Sequence, residues 1–118
     1  MQYLLLIYGN EQNSAEMNKA AGEAMMTEYR VYTDDIAKSG HYKGGNALQP
    51  TKTATTVKVR DGKRQLTDGP FAETREQLGG YYLVDAKDLD EATDLAARIP
   101  GAKWGSIEIR PVWSMPSA

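Results

Sequence analysis

Apolar positions along the chain alternate between a period of two and a period of three to four, and the switches mark out the elements. Gln2 to Tyr8 is rich in β-compatible residues and stops at the turn pair Gly9-Asn10. It is too short for a helix with its own apolar stripe, so it reads as the first strand. From about Ala15 to Ser39, Met17, Ala21, Met25, Tyr29, Tyr32 and Ile36 recur at helical spacing and predict an amphipathic helix. Asn13 followed by Glu16 suits a capping box at its start, with Ser14 as an alternative cap, and Gly40 ends it as a C′ glycine.

His41 to Leu48 reads as a second strand, in which Gly44-Gly45 marks a bulge or a close backbone approach, and Pro50 then breaks the chain. In "TTVKVRDGKRQLTDG", Val57 and Val59 alternate with polar residues, and Asp61-Gly62 is a two-residue type I′ turn signal. A hairpin follows. Leu78 to Ala86 forms another strand. Asp88 with Glu91 opens a second helix, whose apolar face is Leu89, Ala92, Leu95, Ala96 and Ile99, and Pro100-Gly101 terminates it. The last strand is Gly105 to Val112, with strict alternation, and Ser114 to Ala118 is a short tail.

The order β-α-β-(hairpin)-β-α-β predicts a single α+β domain over residues 1–118: a ferredoxin-like, mostly antiparallel sheet with both helices on one face. That arrangement leaves a face uncovered. In "YLLLIY", Leu4 and Leu6 lie on one side of the strand and Leu5 and Ile7 on the other, and the helices bury only one side. A second subunit stacking its sheet on the first would cover the rest, so a homodimer is expected.

Composition narrows the classes of function. With 118 residues, 41% hydrophobic and 25% charged, the chain can bury a core without staples. A formal net charge of −2 gives no basic field for nucleic acid. The hairpin cations Lys58, Arg60, Lys63 and Arg64 have no interleaved aromatics and read as a solvated tip that discourages edge pairing. The absence of cysteine excludes disulfides and thiolate chemistry, and a lone histidine argues against a zinc site. The apolar run at the start is too short to span a bilayer and lacks a basic leader, so a cytoplasmic protein with no membrane partner is expected. Walker, dinucleotide-binding, serine-triad and metalloprotease motifs are missing, and no cofactor or metal is expected.

Candidate chemistry falls in two places. If Ile107 and Ile109 face the helices, Glu108 and Arg110 point into the space between subunits, as a structural ion pair or as a polar pocket wall. After the hairpin, Asp68 caps a turn, Gly69 supplies an unusual φ, Pro70 fixes the bend and Phe71 anchors it in the core. Glu73, Arg75 and Glu76 lie beyond that account. They are a solvated turn, or they present a carboxylate base and a guanidinium to an anionic or carbonyl substrate. On the functional reading Glu73, Glu76 and Glu108 are catalytic candidates, and Asp68, Arg75, Arg110 and Tyr81 bind an unidentified small molecule. One of Tyr81 and Tyr82 must face away from the helices. His41, just past a helix end, suits a capping or surface role.

The stretch "DGPFAETREQLGGYYLVDA", with "MQYLLLIYG", "GGNALQPTKTATTVKVRDGK" and "GSIEIRPV" in the same order, resembles the DGPF-type branch of the YCII-related family nearly end to end. The resemblance implies a dimeric α+β barrel. Its relatives of similar fold include cofactor-free enzymes acting on small cyclic molecules, and such domains occur beside sigma factors of the extracytoplasmic class. Another branch carries a candidate pair, a histidine in the first helix and an aspartate before a proline after the second. Here Met25 and Met26 stand near the first place and Ile99 precedes Pro100, so that pair is absent. Three functions follow: a cofactor-independent isomerase- or lyase-like enzyme, a non-catalytic ligand-binding or regulatory dimer, and a structural interaction domain.

Overall fold

The computed structural model describes residues 1–114; of the expected tail, positions 115–118 lie outside the described residues. Among the described residues the strands are β1 (Gln2–Gly9), β2 (Tyr42–Ala47), β3 (Thr55–Arg60), β4 (Lys63–Asp68), β5 (Gln77–Asp85) and β6 (Ser106–Pro111). The helices are α1 (Glu11–Ala15), α2 (Lys19–Lys38) and α3 (Leu89–Ala97). Four strands form one sheet in the order β2-β5-β1-β6, every neighbouring pair antiparallel, while β3 and β4 pair only with each other. This is an α+β architecture consistent with a ferredoxin-like fold.

The expected two-faced first strand is visible in its register. Tyr3 and Leu5 are buried under the helices with Tyr82 and Val84 of β5. Leu4 and Leu6 lie on the opposite, open face, across from Leu83 and Tyr81 on one side and from Arg110 and Glu108 on the other. Leu5, Ile36, Val84 and Ile99 are sealed from solvent at the centre of the core. Each is worth about 1.5–3 kcal/mol of transfer free energy relative to exposure. Tyr32 stacks edge-on against Tyr82 at 5.3 Å, and its hydroxyl donates to the Leu95 carbonyl at 2.7 Å, tying α2 to α3.

The long helix starts differently from the sequence expectation. Asn10 caps a short α1 by accepting from the Gln12 and Asn13 amides, and Asn18 caps α2 by accepting from the Ala21 amide at 2.8 Å. Two asparagine caps therefore split what the apolar spacing joins, because each offers the backbone a local acceptor that restarts a helix. The other end is as expected. Gly40 has φ +83°, its amide donates to the Ala37 carbonyl, and the His41 amide donates to that of Ile36. These two bonds close a Schellman motif.

At α3, Asp88 accepts from the Glu91 amide, and the Glu91 carboxylate returns to the Lys87 amide at 3.1 Å. The bulge expected at Gly44-Gly45 is a register shift between Tyr42 and Gly44. The hairpin turn has Asp61 at φ 54° and Gly62 at φ 74°, both left-handed, as a type I′ turn requires. Gly69 has φ +95°, also as expected.

Phe71 does not anchor the corner in the core: it is 84% exposed. The corner is held by polar bonds, the Gly69 amide donating to the Ala54 carbonyl at 2.7 Å and the Thr56 hydroxyl to the Gly69 carbonyl at 2.8 Å.

Candidate functional site

Helix α2 is buried unevenly along its length. Its C-terminal half buries Tyr32 and Ile36, whereas Tyr29, Met25 and the preceding Met17 are only half-buried and Ala21 is exposed. The apolar stripe continues toward the N-terminus, but the sheet beneath it is built of glycine. Gly45 of β2 and Gly80 of β5 pair with Tyr82 and Ile7, the strand positions that face the helices. A Cβ on Gly45 would stand 2.8 Å from the Tyr81 carbonyl oxygen, and one on Gly80 would stand 2.9 Å from that of Asn46. Neither position can carry a side chain without moving backbone, so no side chain rises there to meet α2.

The result is a cavity of about 530 Å³ between the first half of α2 and the sheet. Ile7, Tyr29, Tyr42 and Tyr82 supply aromatic and aliphatic wall, Met17 and Met25 the roof, and Asn13, Ser14 and Gln77 polar atoms at the rim. Trp104 borders the cavity and is 62% exposed. The volume lies within the roughly 300–1,000 Å³ of ordinary small-molecule sites.

Proton bookkeeping gives this wall a polarity. The Gly101 amide donates to the Tyr29 hydroxyl oxygen at 3.1 Å, which leaves the Tyr29 proton free to donate. Thr33 spends its single hydroxyl proton on the Tyr29 carbonyl at 2.8 Å. Its 2.7 Å contact with the Tyr82 hydroxyl must therefore use the proton of Tyr82, leaving the Tyr82 oxygen able to accept. Burial pushes the pKa of Tyr29 and of Tyr82 up from 10, partly offset at Tyr29 by the Gly101 amide. Both hydroxyls are neutral at physiological pH. Tyr29 and Tyr82 thus offer one donor and one acceptor in a largely apolar wall.

Glu11 is the carboxylate at the rim, and it is committed. It accepts from the Thr51 amide and hydroxyl at 2.7 Å each, while its own amide donates to Gln77 Oε1 at 3.0 Å. Among the described residues no cluster of histidine, cysteine, aspartate and glutamate could hold a metal, and no helix is long and apolar enough to cross a membrane.

The side chains singled out from sequence fall elsewhere, and that of Tyr81, a neighbour of Gly80 and Tyr82 at the cavity, turns to the other side of the sheet. Tyr81 accepts from Asn46 Nδ2 at 2.8 Å. Of the tyrosine pair it is the one on the open face, and Tyr82 faces the helices. Glu108 and Arg110 lie on that open face as expected and pair with each other there, side by side along β6. Glu76 accepts from the Ser106 hydroxyl at 2.8 Å, bridging the start of β5 to β6. Glu73 and Arg75 are exposed in the loop before it, and Asp68 is exposed at the end of β4 opposite Thr55. None of these six borders the cavity. His41 bridges Ser39 at 2.6 Å and Glu91 at 3.0 Å, joining the end of α2 to α3.

Sequence reasoning missed Tyr29, Thr33, Tyr42, Gly80 and Gly101 as site residues. A signal was present: Met25, Tyr29 and Thr33 are a single i, i+4 ladder on α2, and Gly45, Gly80 and Gly101 are the small residues facing it.

Comparison with known proteins agrees with the layout of the blocks. The YCII-related domain matches residues 1–116. An uncharacterised protein of Rhizobium meliloti (strain 1021) is 36% identical over 114 residues, covering 95% of this chain and 92% of the relative. A match that takes in the whole sheet, both glycine strands and the hairpin settles the family: the chain belongs to the YCII-related family.

Proposed function

We propose that this protein binds a small uncharged molecule, partly aromatic or cyclic and bearing both a carbonyl-type acceptor and a hydroxyl-type donor, in the cavity beneath α2. The observation that carries this reading is the pairing of a free Tyr29 proton with a free Tyr82 lone pair in an apolar wall. Charge is absent from that wall, and the rim carboxylate of Glu11 is already satisfied by Thr51. An acid–base catalyst drawing on Glu73, Glu76 or Glu108 would need its substrate at another place, because none of them borders this cavity. Binding is therefore favoured over cofactor-free catalysis.

The protein acts as a homodimer in this reading. Leu4, Leu6 and Leu83 form an apolar stripe on the sheet face that the helices leave uncovered, with the Glu108–Arg110 pair at its side. A second sheet laid on it would remove that stripe from water.

The test is a titration with neutral hydroxy-ketones, phenols and lactones beside their carboxylate analogues, read by thermal shift and by Trp104 fluorescence. Neutral compounds are expected to bind. Tyr29→Phe should weaken them about tenfold, the worth of one hydrogen bond of roughly 1.4 kcal/mol. Selective binding of the carboxylates, lost in Arg110→Gln and unchanged in Tyr29→Phe, would overturn the reading and move the site to the open face.

A further inference from the structure

We propose that the β3–β4 hairpin is a docking arm whose apolar face packs on a second copy of this chain. The inference rests on the homodimer proposed above and adds an interface that the open sheet face does not provide.

The hairpin stands away from the rest of the structure. Its strands pair with each other alone, and all of its residues except Thr56 are exposed. The radius of gyration is 16.4 Å, against about 13.5 Å for a compact chain of this length. The molecule is thin, 48 × 47 × 19 Å. A two-stranded hairpin without further packing is at best marginally stable in water.

The arm nevertheless has a sorted pair of faces. Val57 lies directly across from Leu66, with Val59 next on the same side, and these three are 55%, 67% and 58% exposed in the order named. Phe71, just past the arm's root, is 84% exposed. Lys58, Arg60, Lys63 and Gln65 occupy the other face. Arg64, across from Val59, and Asp68, across from Thr55, share the Val57–Leu66 side, which is therefore apolar at its centre and charged toward its tip and base.

Two observations select a second copy as the occupant. The first is size. The open sheet face presents about ten side chains, whereas a stable interface takes about 20–30 residues from each partner. The docking side of the arm adds Thr55, Val57, Val59, Arg64, Leu66 and Asp68 to what a second copy can cover. The second is charge. Lys58, Arg60, Lys63 and Arg64 outnumber Asp61 and Asp68 within the arm, while the whole chain is net −2. The remainder of the chain is therefore acidic, and a copy of it attracts the arm.

The arm is also held ready. Gly69 is tied to Ala54 and Thr56 to Gly69 at its base, and Glu11 grips Thr51 on one root while its amide meets Gln77 on the other. An element fixed in attitude before docking loses little entropy on docking.

The experiment compares sedimentation equilibrium of the wild type, an arm variant (Val57→Ser with Leu66→Ser) and a sheet-face variant (Leu6→Lys). Hydrogen exchange across residues 55–68 is followed at low and high protein concentration. The wild type should dimerise, with arm amides slowing as the dimer forms. The arm variant should dissociate at least ~30-fold more readily with an unchanged circular dichroism spectrum. A wild-type dimer whose affinity the arm variant matches, with arm exchange independent of concentration, overturns the arm and leaves the sheet-face dimer standing. A wild type that stays monomeric at 100 µM or so, its arm unprotected, overturns the dimer and the arm together.

Discussion

Tyr32→Phe isolates one polar contact in the core. The Tyr32 hydroxyl is buried and donates to the Leu95 carbonyl at 2.7 Å. That carbonyl lies in the last turn of α3, where the Ile99 amide that would have met it donates instead to Ala96. Removing the hydroxyl leaves a carbonyl near the buried helix end without this donor, at a cost of about 1–3 kcal/mol. The ring itself should stay, because its edge contact with Tyr82 and the Arg98 guanidinium 5.9 Å from its centroid do not need the oxygen. At roughly 4 °C per kcal/mol for a chain of this size, a loss of ~1.5 kcal/mol lowers the melting point by ~6 °C. The penalty also depends on pH. Burial raises the Tyr32 pKa far above its ordinary value of 10.0, so the folded state keeps a proton that the unfolded chain releases. The stabilisation is complete below pH 10 and is lost as pH rises toward the folded value, by up to about 1.4 kcal/mol per unit. Urea unfolding of both proteins, at one protein concentration and between pH 7 and about 11, should show the curves converging at the alkaline end. Equal stabilities at pH 7 would refute the hydrogen bond. A gap that stays constant to pH 11 would refute the burial of the hydroxyl.

Two glycines predict opposite outcomes. A Cβ at Gly105 would fall 2.0 Å from the Tyr8 carbonyl oxygen, so Gly105→Ala must displace the β1–β6 backbone and should cost about 3 kcal/mol or more in urea unfolding. Gly22 sits inside α2 with nothing within 4 Å of its Cβ position, so Gly22→Ala should stabilise by about 0.5–1 kcal/mol; the same sign for both would refute the backbone account. The Glu91 carboxyl is held below its ordinary 4.5 by the Lys87 amide and then by His41. Its contribution is present above about pH 4.5 and disappears as pH falls through the lowered folded value, so wild-type melting points should drop toward those of Glu91→Gln in acid. Parallel melting curves from pH 6 to pH 3 would remove that contribution.

The fold was legible in this sequence because its signals are local. Alternation in β1 and β6, the Asp61-Gly62 turn, the C′ Gly40 and the Asp88 cap are each written in a few consecutive letters. The break between α1 and α2 was less so, since the apolar spacing runs straight through it and only the asparagine caps mark the stop. Phe71 misled because a lone aromatic at a corner is ordinarily a core anchor, and the chain gives no local sign that polar bonds hold the corner instead. The cavity was not legible at all from charged residues. It arises from a mismatch between elements far apart in the chain: an apolar stripe on α2 that runs on past the point where the sheet has side chains to meet it.

That mismatch bears on the choice between binding and catalysis. A general base needs a pKa near the working pH and a lone pair aimed at the substrate. Two tyrosines of the cavity wall move the other way, since burial makes Tyr29 and Tyr82 harder to ionise. The carboxylates seen in the sequence are either exposed or already held by Ser106 or Arg110. What the wall provides instead is fixed direction: a tyrosine proton set by the Gly101 amide and a tyrosine oxygen set by Thr33. Hydrogen bonds oriented before a ligand arrives discriminate strongly between a molecule that completes both and one that lacks either, because an unmatched buried group is costly. Selectivity for a neutral molecule requires only that, and the glycines that keep the floor bare are what make room for it.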